Sequence, residues 1–169
     1  MTTPSPLVQN TDDRVIPGRE CGGCTLCCKV YNIPEINKPA GKWCTHCKPG
    51  KGCTIHTALP QQCAAFNCMW RTEASMDRIW KPDQSKMVVI ISPANGYINV
   101  QVDPGAPQAW RKQPSYGQLP QCARTNLPKG IYVIVFVDVV ATLIIPDPDL
   151  PIGPTNPHDG HTSRLPGYC

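Results

Sequence analysis

Nine cysteines fall within residues 21–68, spaced C-x2-C-x2-C-C-x15-C-x2-C-x5-C-x9-C-x4-C. Thiols at this density are either oxidised in pairs or held by metal, and the redox compartment decides between the two. The first twenty residues, MTTPSPLVQNTDDRVIPGRE, contain no basic region followed by an apolar run, so no secretory signal is expected. The most apolar run, residues 131–145, is broken by Asp138 and falls short of the roughly 20 apolar residues of a spanning helix. The expectation is a cytoplasmic protein without membrane contact, its thiols metal-bound rather than joined as a disulfide framework.

The candidate ligands are Cys21, Cys24, Cys27, Cys28, Cys44, Cys47, Cys53, Cys63 and Cys68. Two residues between cysteines let one tight turn aim both sulfurs at the same ion, which is why C-x2-C recurs in zinc and iron–sulfur sites. If residues 25–30 are helical, Cys24, Cys27 and Cys28 share one face by their i, i+3 and i+4 relation, and Cys21 closes the site from the loop before them. Gly22 and Gly23 leave that loop free to turn backbone N–H groups toward thiolates. Cys63 and Cys68 behave differently, because five helical residues correspond to roughly 140° of rotation. Either one of them lies beyond a helix end or the two serve different metals. His46 and His56 are further candidate ligands beside the cluster.

Zinc takes four tetrahedral Cys or His ligands, so eight or nine thiols suffice for two such sites. Iron, including an iron–sulfur cluster, is the alternative, since C-x2-C-x2-C matches the start of the bacterial ferredoxin run. The match ends there: Cys28 follows Cys27 at once and Lys29 follows Cys28, where a ferredoxin has three residues and then Cys-Pro. Soft thiolates suit both metals, and spacing leaves the choice between zinc and iron open.

The segments CGGCTLCC, KPAGKWCTHC, GCTIH and the P-x2-C-x2-F-x-C-x-W run of residues 60–70 resemble the YkgJ, or CxxCxxCC, family of zinc- or iron-chelating proteins. The resemblance covers roughly residues 20–80. It implies metal binding by Cys21, Cys24, Cys27, Cys28, Cys44, Cys53, Cys63 and Cys68, with Cys47 as an additional candidate. The chain departs from the family pattern at Leu59-Pro60 and Cys63-Ala64, where many relatives carry Arg-Pro and Cys-Arg, so no role of those arginines carries over. Some larger relatives are flagellin lysine methylases, and 169 residues leave little room for an added catalytic domain.

Twenty prolines, about 12% of the chain, each fix φ and remove a backbone donor, which leaves little room for long helices and excludes a bundle or coiled coil. Four regions follow: a mobile, polar N-terminal tail (1–19), the cysteine cluster (20–80), a β region (81–146) and a Pro-rich C-terminal tail (147–169). Strands are expected at residues 86–91, 97–102, 131–137 and 139–145, with a hairpin turn at Asn95-Gly96, another turn at Asp138, and a short helix at residues 107–112. The fold class is therefore α+β, an irregular Cys-rich metal-binding region with short helices joined to a small, mostly antiparallel β-sheet. Trp43, Trp70, Trp80 and Phe66 are expected to cover the cluster and build the core. Cys122 and Cys169 stand alone as small apolar residues, and His158 and His161 belong to a solvated loop.

The formal net charge of +4 invites a nucleic-acid reading. Eight thiolates around two divalent ions would cancel it to about zero, which disfavours that partner. The leading expectation is a metal-binding protein that chelates zinc or iron and has a protein partner. The alternatives are a metal-dependent redox or methyl-transfer enzyme acting on that protein partner, and a zinc-ribbon-like nucleic-acid-binding module.

Overall fold

Residues 13–146 are described in a computed structural model. The C-terminal tail with His158, His161 and Cys169, and the first twelve residues, lie outside the described residues. The cysteine-rich half is built from one-turn helices and a two-stranded ribbon: α1 (Cys27–Val30), β1 (Cys47–Lys48), β2 (Gly52–Cys53), α2 (Gln61–Ala64) and α3 (Met69–Thr72). Closely spaced prolines and glycines prevent anything longer. The second half continues with α4 (Pro82–Ser85), β3 (Met87–Ile91), β4 (Ile98–Val102), α5 (Ser115–Asn126), β5 (Val133–Val137) and β6 (Val140–Ile144).

The four longer strands form one sheet in the order β3-β4-β5-β6. β3 and β4 pair antiparallel, as do β5 and β6, while β4 and β5 are parallel. An α+β fold with a small, mostly antiparallel sheet is what results. Both hairpin turns fall where expected. Gly96 adopts φ 75° after Asn95, whose side-chain oxygen accepts from the Tyr97 N–H at 3.0 Å, and Asp138 adopts φ 53° between β5 and β6.

Side chains alternate across a strand, and β4 shows it: Ile98, Val100 and Val102 are buried while Asn99 and Gln101 are half-buried. With Met87, Val89, Val133 and Val135 they form the sheet's core face. Val88, fully buried, points to the other side of β3, toward the cysteines. Leu26, Val30, Cys68, Trp70 and Trp80 belong to the same hydrophobic cluster as the strands, so the cysteine-rich half and the sheet share one core.

Three features differ from the sequence reading. The expected helix at residues 107–112 is a single 3-10 turn at Ala109–Arg111, and the regular helix comes after it, α5, with Pro120 inside. Burial of Leu119 and Ala123 and a 2.6 Å hydrogen bond from Trp80 Nε1 to Gln118 Oε1 override the poor propensity of Gly117 and Pro120. Trp70 and Trp80 are buried as expected, whereas Trp43 is 40% exposed, its ring beneath the Lys29 ammonium at 5.5 Å. Finally, the end of the N-terminal segment is fastened to α3: the Ile16 N–H donates to the Arg71 carbonyl at 2.9 Å, and the Arg19 guanidinium to the carbonyls of Trp70 and Glu73 at 2.5 and 2.8 Å.

Candidate metal centre

The first thiols sit on a loop that only glycine can make. A Cβ on Gly23 would stand 2.6 Å from the Gly50 carbonyl oxygen, so residues 21–24 pass directly against the turn between β1 and β2. The Gly50 N–H completes the junction by donating to Thr25 Oγ1 at 3.1 Å. A turn closed by the Cys24 N–H on the Cys21 carbonyl at 2.8 Å brings these two cysteines together. α1 then presents Cys27 and Cys28, but it starts only at Cys27, so Cys24 stands in the preceding turn and not on the helical face expected for residues 25–30.

Each later cysteine is delivered by its own device. The Cys44 N–H donates to the Cys28 carbonyl at 3.0 Å, and Cys47 and Cys53 face each other across β1 and β2. Cys63 lies in α2, whose start is capped from afar: the Glu35 carboxylate accepts from the Gln61 and Gln62 N–H groups at 2.9 and 3.0 Å. Cys68 lies beyond α2 and is the N-cap of α3. The 140° problem is thus resolved by a helix end between the two.

Seven thiols, those of Cys21, Cys24, Cys27, Cys28, Cys44, Cys53 and Cys63, line one cavity of about 670 Å³. Cys68 lies behind it, lining a smaller one with Cys21, Cys24 and Cys27. Cys47 does not line either cavity, yet its thiol is within hydrogen-bonding reach of Cys28 and of the Thr25 hydroxyl. His56 stands exposed at the rim of the large cavity, and His46 lies outside it. Cys122 is on α5, away from the cluster, with Asn126 Nδ2 3.6 Å from its sulfur. None of the described cysteines is in a disulfide.

Burial favours the protonated thiol at Cys24, Cys47, Cys63 and Cys68 in the metal-free protein. Desolvation pushes Cys24, Cys47 and Cys63 up to about 11, and raises Cys68 as well. Cys28 is held far above the usual thiol range, first by its hydrogen bond with Cys27 and then by burial. Against this, backbone N–H groups of Leu26 and Asp83 favour the thiolate at Cys24, and the Arg71 charge does so at Cys68.

Two residues that spacing did not single out complete the site. Lys38, only 6% exposed, donates to the carbonyls of Lys29, at 2.7 Å, and Tyr31. Desolvation lowers its pKa, while Cys28, Cys44, Cys27 and Cys63 pull the other way, which puts its ammonium within electrostatic reach of that group. Tyr31 packs its ring on Phe66, centroids 5.2 Å apart, and its hydroxyl is buried without a hydrogen-bond partner. Nothing in the pattern of a single lysine or tyrosine marks such a role.

The donor set suits zinc or iron, both of which take thiolates. As they stand, no three or more His, Cys, Asp or Glu side chains among the described residues are arranged to hold an ion. Ligation therefore has to draw thiols inward from the cavity wall. Comparison of the chain with protein-family models, curated proteins and solved structures finds no match. Among the described residues no helix is long and apolar enough to cross a membrane.

Proposed function

We propose that this protein binds zinc or iron, as ions or within an iron–sulfur cluster, through the cysteines of residues 21–68. The observation that carries the reading is the convergence of seven thiols from five separate segments on one cavity. Without ligands to hold, that convergence buries groups that gain nothing from one another. When bound, the metal supplies positive charge that holds the thiols as thiolates, while Lys38 balances the anionic shell. The cytoplasm, where thiols stay reduced, is the compartment that suits such a site.

A nucleic-acid-binding module finds less support, because two of the lysines near the cluster are engaged elsewhere. Lys29 is paired with Asp103 at 2.6 Å, and Lys38 is buried. A centre acting on a protein partner is the second reading, favoured by the apolar wall of Ile33, Ile36, Ile55, Leu59 and Phe66 beside the thiols.

The deciding experiment is anaerobic purification followed by elemental analysis, a visible spectrum and native mass spectrometry. Bound zinc or iron in fixed ratio to chain supports the proposal. A folded, fully reduced chain that carries no metal and takes up none overturns it.

A further inference from the structure

The thiols do not all have the same neighbours. The small cavity, about 20 Å³, has room for a single water-sized occupant and takes its thiols from Cys21, Cys24, Cys27 and Cys68 alone. Cys44, Cys53 and Cys63 line only the large cavity, and the ionisable neighbours that bear on Cys63 are Cys28, Cys44, Cys53 and Glu35. On the Cys68 side, the backbone N–H groups of Leu26 and Asp83 bear on the Cys24 sulfur. N–H groups of this kind stabilise anionic sulfur. The hydroxyl of Tyr31, a residue of the large cavity's wall, is buried and unpartnered, and charge on Cys27 and Cys68 bears on it. A buried phenol without a partner is costly, and a thiolate beside it would satisfy it.

Resting on the metal-binding reading above, we infer that Cys21, Cys24, Cys27 and Cys68 form a metal centre of their own, to which the Tyr31 hydroxyl donates a hydrogen bond. The second centre is drawn from Cys28, Cys44, Cys47, Cys53 and Cys63, with Lys38 as its countercharge. Cys27, within reach of Cys28, marks the seam between them. Tyr31 is a positioning residue: it acts through the thiolates, as outer-shell donors to metal ligands do.

The test is titration of the full, reduced, metal-free chain with cobalt(II) alone under anaerobic conditions, followed by the thiolate-to-cobalt charge-transfer absorption. Two cobalt ions per chain are expected. Cys68→Ser removes one, and the double variant Cys44→Ser/Cys63→Ser, which leaves the second centre three thiols, removes the other, with far-UV circular dichroism as the check on folding, and Cys24→Ser replaces Cys68→Ser should the latter unfold. Tyr31→Phe keeps both ions, shifts the absorption of the Cys68-dependent centre alone and weakens that centre about tenfold. One ion per chain, loss of both ions from a folded serine variant, or an unmoved band in Tyr31→Phe overturns the inference while leaving metal binding intact. Failure of the wild-type chain to bind cobalt overturns both.

Discussion

Gly23 lies against the carbonyl oxygen of Gly50 so closely that a Cβ would stand 2.6 Å from it. Two loops carrying thiols, 21–24 and 47–53, are thereby held together by backbone contact before any metal is bound. The obstacle is backbone and cannot rotate away as a side chain would. Gly23→Ala is expected to cost about 1–3 kcal/mol, in the range of overpacking, read as a lower denaturant midpoint with unchanged slope. Wild-type stability would show that the loops separate easily.

Glu35 caps α2 through two N–H groups. Glu35→Ala should cost about 1 kcal/mol, the usual loss for a removed cap. Because α2 carries Cys63, the variant should also bind metal more weakly, which competition against a chelator measures. Unchanged melting temperature and unchanged competition would show that the cap does not hold Cys63 in place.

Lys38→Met removes the buried donor to the Lys29 and Tyr31 carbonyls. The lost hydrogen bonds should cost the metal-free protein about 1–3 kcal/mol. With its positive charge gone from the neighbourhood of Cys28 and Cys44, metal affinity should fall as well, by a similar factor at low and high ionic strength because a buried charge is little screened. Wild-type affinity in Lys38→Met would argue against Lys38 as countercharge.

Cys122 supplies a pH prediction that does not involve the cluster. Burial raises its thiol above the ordinary value of 9.0. Its folded pKa therefore exceeds its unfolded one, so the stability gained from keeping the thiol neutral is complete below about pH 9 and is lost as pH rises through the folded value. Alkylation, which needs the thiolate, should be slower at Cys122 than in the urea-unfolded chain and should accelerate only at higher pH. Mass-spectrometric time courses at a series of pH values check this, and folded and unfolded rates that coincide would contradict it.

Removal of metal by a chelator should leave the four-stranded sheet, whose core face is apolar, and loosen residues 20–68. Hydrogen exchange should rise in that segment and stay low in β4 and β5. Equal protection with and without metal would mean that the cysteine loops are ordered by packing alone.

The strands were legible because β-branched residues alternate between turn signals at Asn95-Gly96 and Asp138, and both signals are local. The candidate ligands were legible for the same reason, as spacing confines C-x2-C pairs to one turn. α5 was hidden: Gly117 and Pro120 argue against a helix, and what forms it is the burial of Leu119 and Ala123 and the bond from Trp80, contacts remote in sequence. Trp43 misled in the opposite sense, since an indole reads as core whether or not the fold has space for it.

By itself, the sequence determined the close spacing of the thiols and the α+β class, both of which depend on residues a few positions apart. Only the tertiary structure decided that Cys68 lines the small cavity with Cys21, Cys24 and Cys27 while Cys63 lines only the large one, that Lys38 is buried among carbonyls, and that the Tyr31 hydroxyl ends buried without a partner. Those are contacts between distant segments, set by how the cysteine loops close over Val88 and the shared core, and no short-range spacing encodes them.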